Sequence, residues 1–279
     1  MNTTRQILFG SPIATLGTGL LSLMLFIALF GPVIAPYDPK EVTGAPFARP
    51  SGAHWLGTND IGQDIFSEVL WGTRVSLTIG LIAAGAAILI GTTVGVVASL
   101  AGGWADAALM RLTDVVLTLP FLPLAVVLAA FLGPSLWNTA LVITVVIWAR
   151  PARIVRSQGI SICSLAYVEA AKALGGRFHH LLLRHVLPGV LPLALSQFVL
   201  ATSGAILTEA GLAFLGLGDP LQKSWGTILF YAQARGAFLN GSWPWWVIPP
   251  GLLISATVLG FVLLGRSLED VLMPRLRVK

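Results

Sequence analysis

Charge is what this chain has least of. Only 10% of its 279 residues are Asp, Glu, Lys or Arg, against 56% hydrophobic, whereas a soluble domain carries about 25% charged residues. So sparse a polar complement excludes an ordinary soluble enzyme and a disordered tail. Cysteine is nearly absent as well. The single Cys163 excludes an intrachain disulfide and a cysteine-based metal cluster. No Gly-x4-Gly-Lys-Ser/Thr run exists to cradle phosphates, and neither a Gly-x-Ser-x-Gly elbow nor a His-Glu-x-x-His pair offers hydrolytic chemistry. The net charge of +5 is spread among apolar runs, a poor footprint for nucleic acid.

What the chain does have is long hydrophobic runs. A helix needs roughly 20 apolar residues to cross about 30 Å of hydrocarbon. Six stretches qualify: Ile13 to Ile34, Ser76 to Leu100, Val115 to Phe131, Trp137 to Ala149, Val190 to Leu212, and Val247 to Leu264. Pro120, Pro123, Gly133 and Pro134 blur the boundary between the third and fourth. The first run exceeds the 7–15 residues of a signal h-region. Cleavage after Ala35 would also leave Pro36 at the new terminus, so this run reads as a retained anchor.

Lys and Arg in the connecting segments orient the spans. With the N terminus inside, twelve of them fall on the cytoplasmic side, from Arg5 through Arg111, Arg150, Lys172 and Arg184 to Lys279. Five fall outside: Lys40, Arg49, Arg74, Lys223 and Arg235. Both termini are expected inside, and the basic pI is a topology signal.

The segment between spans four and five, Arg150 to Pro188, is then cytoplasmic. Ser164 to Leu174 has helix-forming composition, Gly175-Gly176 supplies a stop, and Arg177 to Val186 forms a second short helical run before Leu187-Pro188. Two short helices beneath the membrane are expected, with Ala170 and Ala171 permitting close approach of a partner backbone and Glu169 available for pairing.

Glu169-Ala170-Ala171, Gly175 four residues on, and His185-Val186-Leu187-Pro188 together resemble the EAA loop of ABC importer permeases. His185 stands where the general pattern has isoleucine, as in the peptide and nickel branch. His54 to Ser67 resembles a stretch of dipeptide, oligopeptide and nickel permeases, with Asn59 and Gln63 in place of the usual Asp and Arg. Gly72 to Leu77, Ala210 to Gly218 with Trp225-Gly226, and Pro274 to Arg277 resemble further parts of the second, C-type permease subunit.

The resemblance implies an all-α integral membrane protein of six transmembrane helices with a type I ABC importer core. Its parts would be an N-terminal helix plus extracytoplasmic segment (1–72), the ABC transmembrane type-1 domain (73–266) and a cytoplasmic tail (267–279). It implies a non-catalytic permease subunit forming half of a pathway for di- or oligopeptides, with nickel or metal–chelate import as the alternative. The implied ATPase-coupling residues are Glu169, Ala170, Ala171, Gly175, His185, Leu187 and Pro188. The implied partners are a homologous B-type permease subunit, two cytoplasmic ABC ATPases that use ATP and Mg, an extracytoplasmic substrate-binding protein and membrane lipid. The chain itself would bind no cofactor and lie in the cell (inner) membrane.

Several single residues carry their own expectations. Glu209 lies in or at the outer end of span five, where an ionisable group is costly. It reads either as part of a subunit interface or substrate path, or as a side chain reaching the outer interface to bond loop backbone. A proton-coupled secondary transporter using Glu209 is a further alternative. Arg111 and Asp114 are spaced to pair at i,i+3. His179 and His180 point to different sides of a helix, so no metal site is expected. Gly91 to Gly95 forms a small-xxx-small stripe for close packing, and Trp243 to Trp246 reads as an interfacial aromatic anchor.

Overall fold

The computed structural model describes residues 11–272. The charges at Arg5, Arg275, Arg277 and Lys279 and the match at Pro274 to Arg277 lie outside the described residues. Every extended element described is helical, with two isolated β-bridges, Val42 to Gln63 and Thr58 to Asp64, in the segment after the first helix.

Helix α1, Pro12–Ile34, begins where the Ser11 hydroxyl accepts from the Ala14 N–H at 3.1 Å. Helix α2, Ile65–Ala101, is 37 residues long, or about 55 Å, and starts well before the expected Ser76. The reason is a strong cap: the Asp64 carboxylate accepts from the Ser67 N–H at 2.8 Å and the Ser67 hydroxyl at 2.7 Å. His54 Nδ1 lies 2.9 Å from the same carboxylate. Residues 35–64 thus fold as a cap at one end of α2.

The third expected span is not one helix. Helices α3 (Gly103–Thr118) and α4 (Phe121–Leu132) meet at 89°. Pro120 has no N–H to continue the ladder and pushes Leu119 to an extended ψ of 136°. The fourth span is longer than expected. Helix α5 (Leu136–Ile147) bends by 43° into α6 (Ala149–Cys163), so the expected loop begins as helix as far as Cys163. Among the described residues, four helical segments are individually long and apolar enough to cross a membrane, and up to six spans result when each bent pair counts as one.

After α6 come α7 (Ala166–Ala173) and α8 (Phe178–Leu181). A π-helical turn at Leu182–Val186 then carries the chain into α9 (Leu187–Leu212). The second short run is therefore the beginning of span five, in line with it. A further π-helical turn, Ala213–Leu217, ends at Gly218, and α10 (Trp225–Ala234), α11 (Trp243–Trp246) and α12 (Ile248–Leu272) complete the described residues.

Helix α2 is the central post. A Cβ on Gly95 would lie 2.6 Å from the Ala152 carbonyl oxygen, and one on Gly91 would lie 2.8 Å from that of Trp148. The small-residue stripe therefore packs α2 onto the α5–α6 backbone within one subunit. Val33 is 83% exposed and Phe131 88%, apolar outer faces that water would not tolerate in such number.

Two local expectations are corrected. Asp114 pairs with Arg153 on α6, and Asp106 with Arg156, so the α3 acids reach across to α6 and Arg111 is not Asp114's partner. Trp246 is fully buried against Ile65, Val69 and Ile228, with Phe47 edge-on at 6.1 Å. It is a core residue, and of this aromatic run Trp243 is the one left exposed.

Candidate functional site

The expected coupling segment forms a hairpin at the end of α2 opposite the cap. Helix α7 is only eight residues long, but Glu169 in its first turn and Lys172 in its last both suit the helix dipole. Its end is a full Schellman closure. The Gly175 N–H donates to the Lys172 carbonyl and the Gly176 N–H to the Ala171 carbonyl, each at 3.0 Å. Gly175 sits at φ 83° with open space around its Cβ position, so backbone conformation alone demands glycine there.

One side chain roots this helix in the protein. Val168 is fully buried among Val96 of α2, Val155, Ile162 and Cys163 of α6, and Val186 and Val190 at the start of span five. Leu187 packs against the same cluster, whereas Pro188 is exposed in the first turn of α9. Glu169, Ala170 and Gly175 are exposed, Ala171 is half-buried, and Leu174 projects at 89% exposure. The hairpin thus presents a small-residue and apolar tip while its root lies in a buried cluster shared with three membrane helices.

His185 lies in the π-helical turn, its ring 5.8 Å from Tyr167 and 5.6 Å from His180. The aromatic contact to Tyr167 ties α7 back to the start of span five, a role that an aliphatic residue would fill by packing alone. Among the described residues, no group of three or more His, Cys, Asp or Glu side chains converges as a metal site.

Glu209 lies far from the hairpin, on α9, and is 2% exposed. The Ser76 hydroxyl of α2 donates to its Oε2 at 3.2 Å, and the Trp225 N–H at the start of α10 donates to the same Ser76 oxygen at 3.1 Å. The carboxylate therefore faces the interior of this subunit.

The segment 218–225 is fastened at several further points that local sequence patterns did not reveal. Lys223 Nζ lies 2.8 Å from Glu68 Oε1 and donates to Gln63 Oε1 at 3.1 Å, while Asn59 donates to both Glu68 and Gln63 at 2.9 Å. Asn59 and Gln63 thus form a neutral bonded pair beneath the Lys223–Glu68 ion pair. Asp219 accepts from the Leu136 N–H at 3.2 Å and so caps α5 from a distant part of the chain. Asp219 and Leu136 are separated by 83 residues in sequence and Lys223 and Gln63 by 160, and only the fold brings them together.

A cleft of about 630 Å³ lies toward the hairpin end of the bundle. Leu117, Arg150, Gln197, Leu207 and Glu269 are among its lining residues, and Gln197 donates to Glu269 at 3.3 Å.

Known proteins share this sequence along nearly its whole length. Residues 2–50 match the N-terminal TM domain of oligopeptide transport permease C. A probable D,D-dipeptide transport system permease protein of Escherichia coli (strain K12) is 38% identical over 268 residues, covering 95% of this chain and 89% of that protein. A dipeptide transport system permease protein of Alkalihalophilus pseudofirmus is 35% identical over 267 residues, with 95% and 86% covered. A glutathione transport system permease protein of Pectobacterium atrosepticum is 37% identical over 260 residues, with 91% and 84% covered. Residues 87–278 match the remaining and larger family segment, and the chain belongs to the binding-protein-dependent transport system inner membrane components.

Proposed function

We propose that this chain is the C-type permease subunit of an ATP-driven importer and forms half of a membrane pathway for di- or oligopeptides. The observation that carries the reading is the hairpin: exposed Glu169 and Ala170 beside half-buried Ala171, closed by Gly175, with buried Val168 in a cluster shared with α2, α6 and α9. A push on its tip is delivered to three spans at once. The relatives' names, dipeptide and glutathione transport permeases among them, support peptides as the cargo.

On this reading Glu169, Ala170, Ala171, Gly175, His185, Leu187 and Pro188 form the coupling element for one of two cytoplasmic ATPases. Those ATPases use ATP and Mg, and this chain holds no cofactor. The hairpin end is cytoplasmic, as are both termini, and the cap end receives an extracytoplasmic binding protein. Residues 73–266 are the translocating core, preceded by the anchor and cap and followed by a cytoplasmic tail. A homologous permease subunit supplies the other half of the pathway, and the cleft beside Arg150 and Leu207 is this subunit's contribution. Transport follows alternating access: nucleotide-driven closure of the ATPases moves the hairpins, and the paired permeases rock to face outward.

Affinity purification of the tagged chain from its native membrane tests the assembly. Two ATPase subunits and a second permease should co-purify in fixed ratio, and ATP-dependent peptide uptake should vanish when the chain is deleted. A chain that purifies alone and transports without ATP contradicts the reading.

A further inference from the structure

The cap end carries a cavity of about 350 Å³ between residues 40–63 and the segment leading through α10. Its size falls within the range of small-ligand sites, and its charged lining residues are mostly cationic: Lys40, Lys223 and Arg235 against Asp60. Two of those cations are already matched. Lys223 is held by Glu68 at 2.8 Å, and Arg235 lies 3.1 Å from Asp60. Lys40 has no acidic partner within 4 Å among the described residues. One positive charge is left over, and the natural complement is one carboxylate.

The remaining lining sharpens the ligand. Tyr231, Leu221 and Ile61 supply an apolar wall, and Lys223 lies 5.0 Å from the centre of the Tyr231 ring. The geometry points to this cavity as a binding site for the C-terminal end of a small peptide. Lys40 and Arg235 take the carboxylate, and Tyr231, Leu221 and Ile61 flank the last side chain. Arg235 can turn to a second anion without leaving Asp60, because a guanidinium carries five N–H donors. The site adjoins the segment that Lys223 and Trp225 tie to α2, so an occupied cavity bears on the same segment that the Ser76–Glu209 bond anchors. The identity of the ligand rests on the peptide-import reading.

The test uses the complete permease–ATPase complex in nanodiscs without the binding protein, with radiolabelled alanyl-phenylalanine as probe in equilibrium dialysis. The free acid should bind, its C-terminal amide should bind about tenfold more weakly or worse, and the N-acetyl form should bind like the parent. Lys40→Ala and Arg235→Ala should each weaken binding by about tenfold, with Lys40→Arg restoring most of it. Equal binding of acid and amide, or affinity unmoved by both alanine variants, overturns the site. Uptake of the same dipeptide by intact cells separates the two readings: uptake with a cavity indifferent to these changes defeats only the site. Absence of uptake together with absence of binding defeats both.

Discussion

Ser76 joins Glu209 to the start of α10. Its hydroxyl donates to the buried Glu209 carboxylate at 3.2 Å and accepts from the Trp225 N–H at 3.1 Å. Span five, the central helix α2 and the segment beyond span five therefore meet at one polar point inside the subunit. A buried carboxylate in this position holds helices together by hydrogen bonding, and its loss leaves the Ser76 hydroxyl without its acceptor.

Glu209→Leu should therefore destabilise the detergent-solubilised protein by about 1–3 kcal/mol, the cost of an orphaned buried polar group. Glu209→Gln keeps an acceptor for Ser76 and should remain within about 1 kcal/mol of the parent. Thermal melting of both variants beside an uptake assay decides the role. Lost uptake in Glu209→Gln at unchanged melting temperature would show that the carboxylate's charge is itself used in transport.

Gly175→Ala tests the hairpin through its backbone. The residue's φ of 83° and its open surroundings mean that the substitution meets no clash and costs about 1–2 kcal/mol of local strain. The membrane abundance of the protein should be unchanged, because the tip contributes little to the core. Uptake should fall several-fold, and unchanged uptake would count against a coupling role.

Ala170→Arg places a long charged side chain on the exposed hairpin face. Co-purification of ATPase subunits should drop sharply while the second permease stays bound. Simultaneous loss of both partners would indicate general misfolding rather than a lost docking contact.

Lys223 and Glu68 form an ion pair whose side chains are 16% and 2% exposed. Lys223→Met leaves a buried carboxylate unpaired and should cost about 3–5 kcal/mol. The double variant Glu68→Gln with Lys223→Met should recover much of that loss, because the uncompensated charge is gone. A double-mutant cycle on melting temperature measures the coupling, and simple additivity would contradict a direct pair.

The helical, multi-span architecture was legible from hydrophobic runs, and the hairpin from an alanine-rich run stopped by two glycines. Both are local signals. The misjudged features depend on tertiary context, except the turn at Pro120, which is local. The apolar run across Pro120 looked continuous, yet the missing N–H and the restricted Leu119 turned the chain by 89°. Asp114 sat three residues from Arg111, yet α6 brought Arg153 to it. Trp246 had an anchor's composition but was drawn into the core between α2 and α10. The cap's polar network was invisible for the same reason, since Glu68 and Lys223 have no short-range pattern in common.

On the proposed function, this chain works as one half of an ATP-driven peptide pathway. Its most direct test is uptake of radiolabelled dipeptide into proteoliposomes containing the chain, its partner permease and both ATPases, with binding protein added on the extracytoplasmic side. Uptake should require ATP and the binding protein, and it should fall to background when this chain is omitted. Uptake by this chain alone, driven by a proton gradient without ATP, would contradict the account.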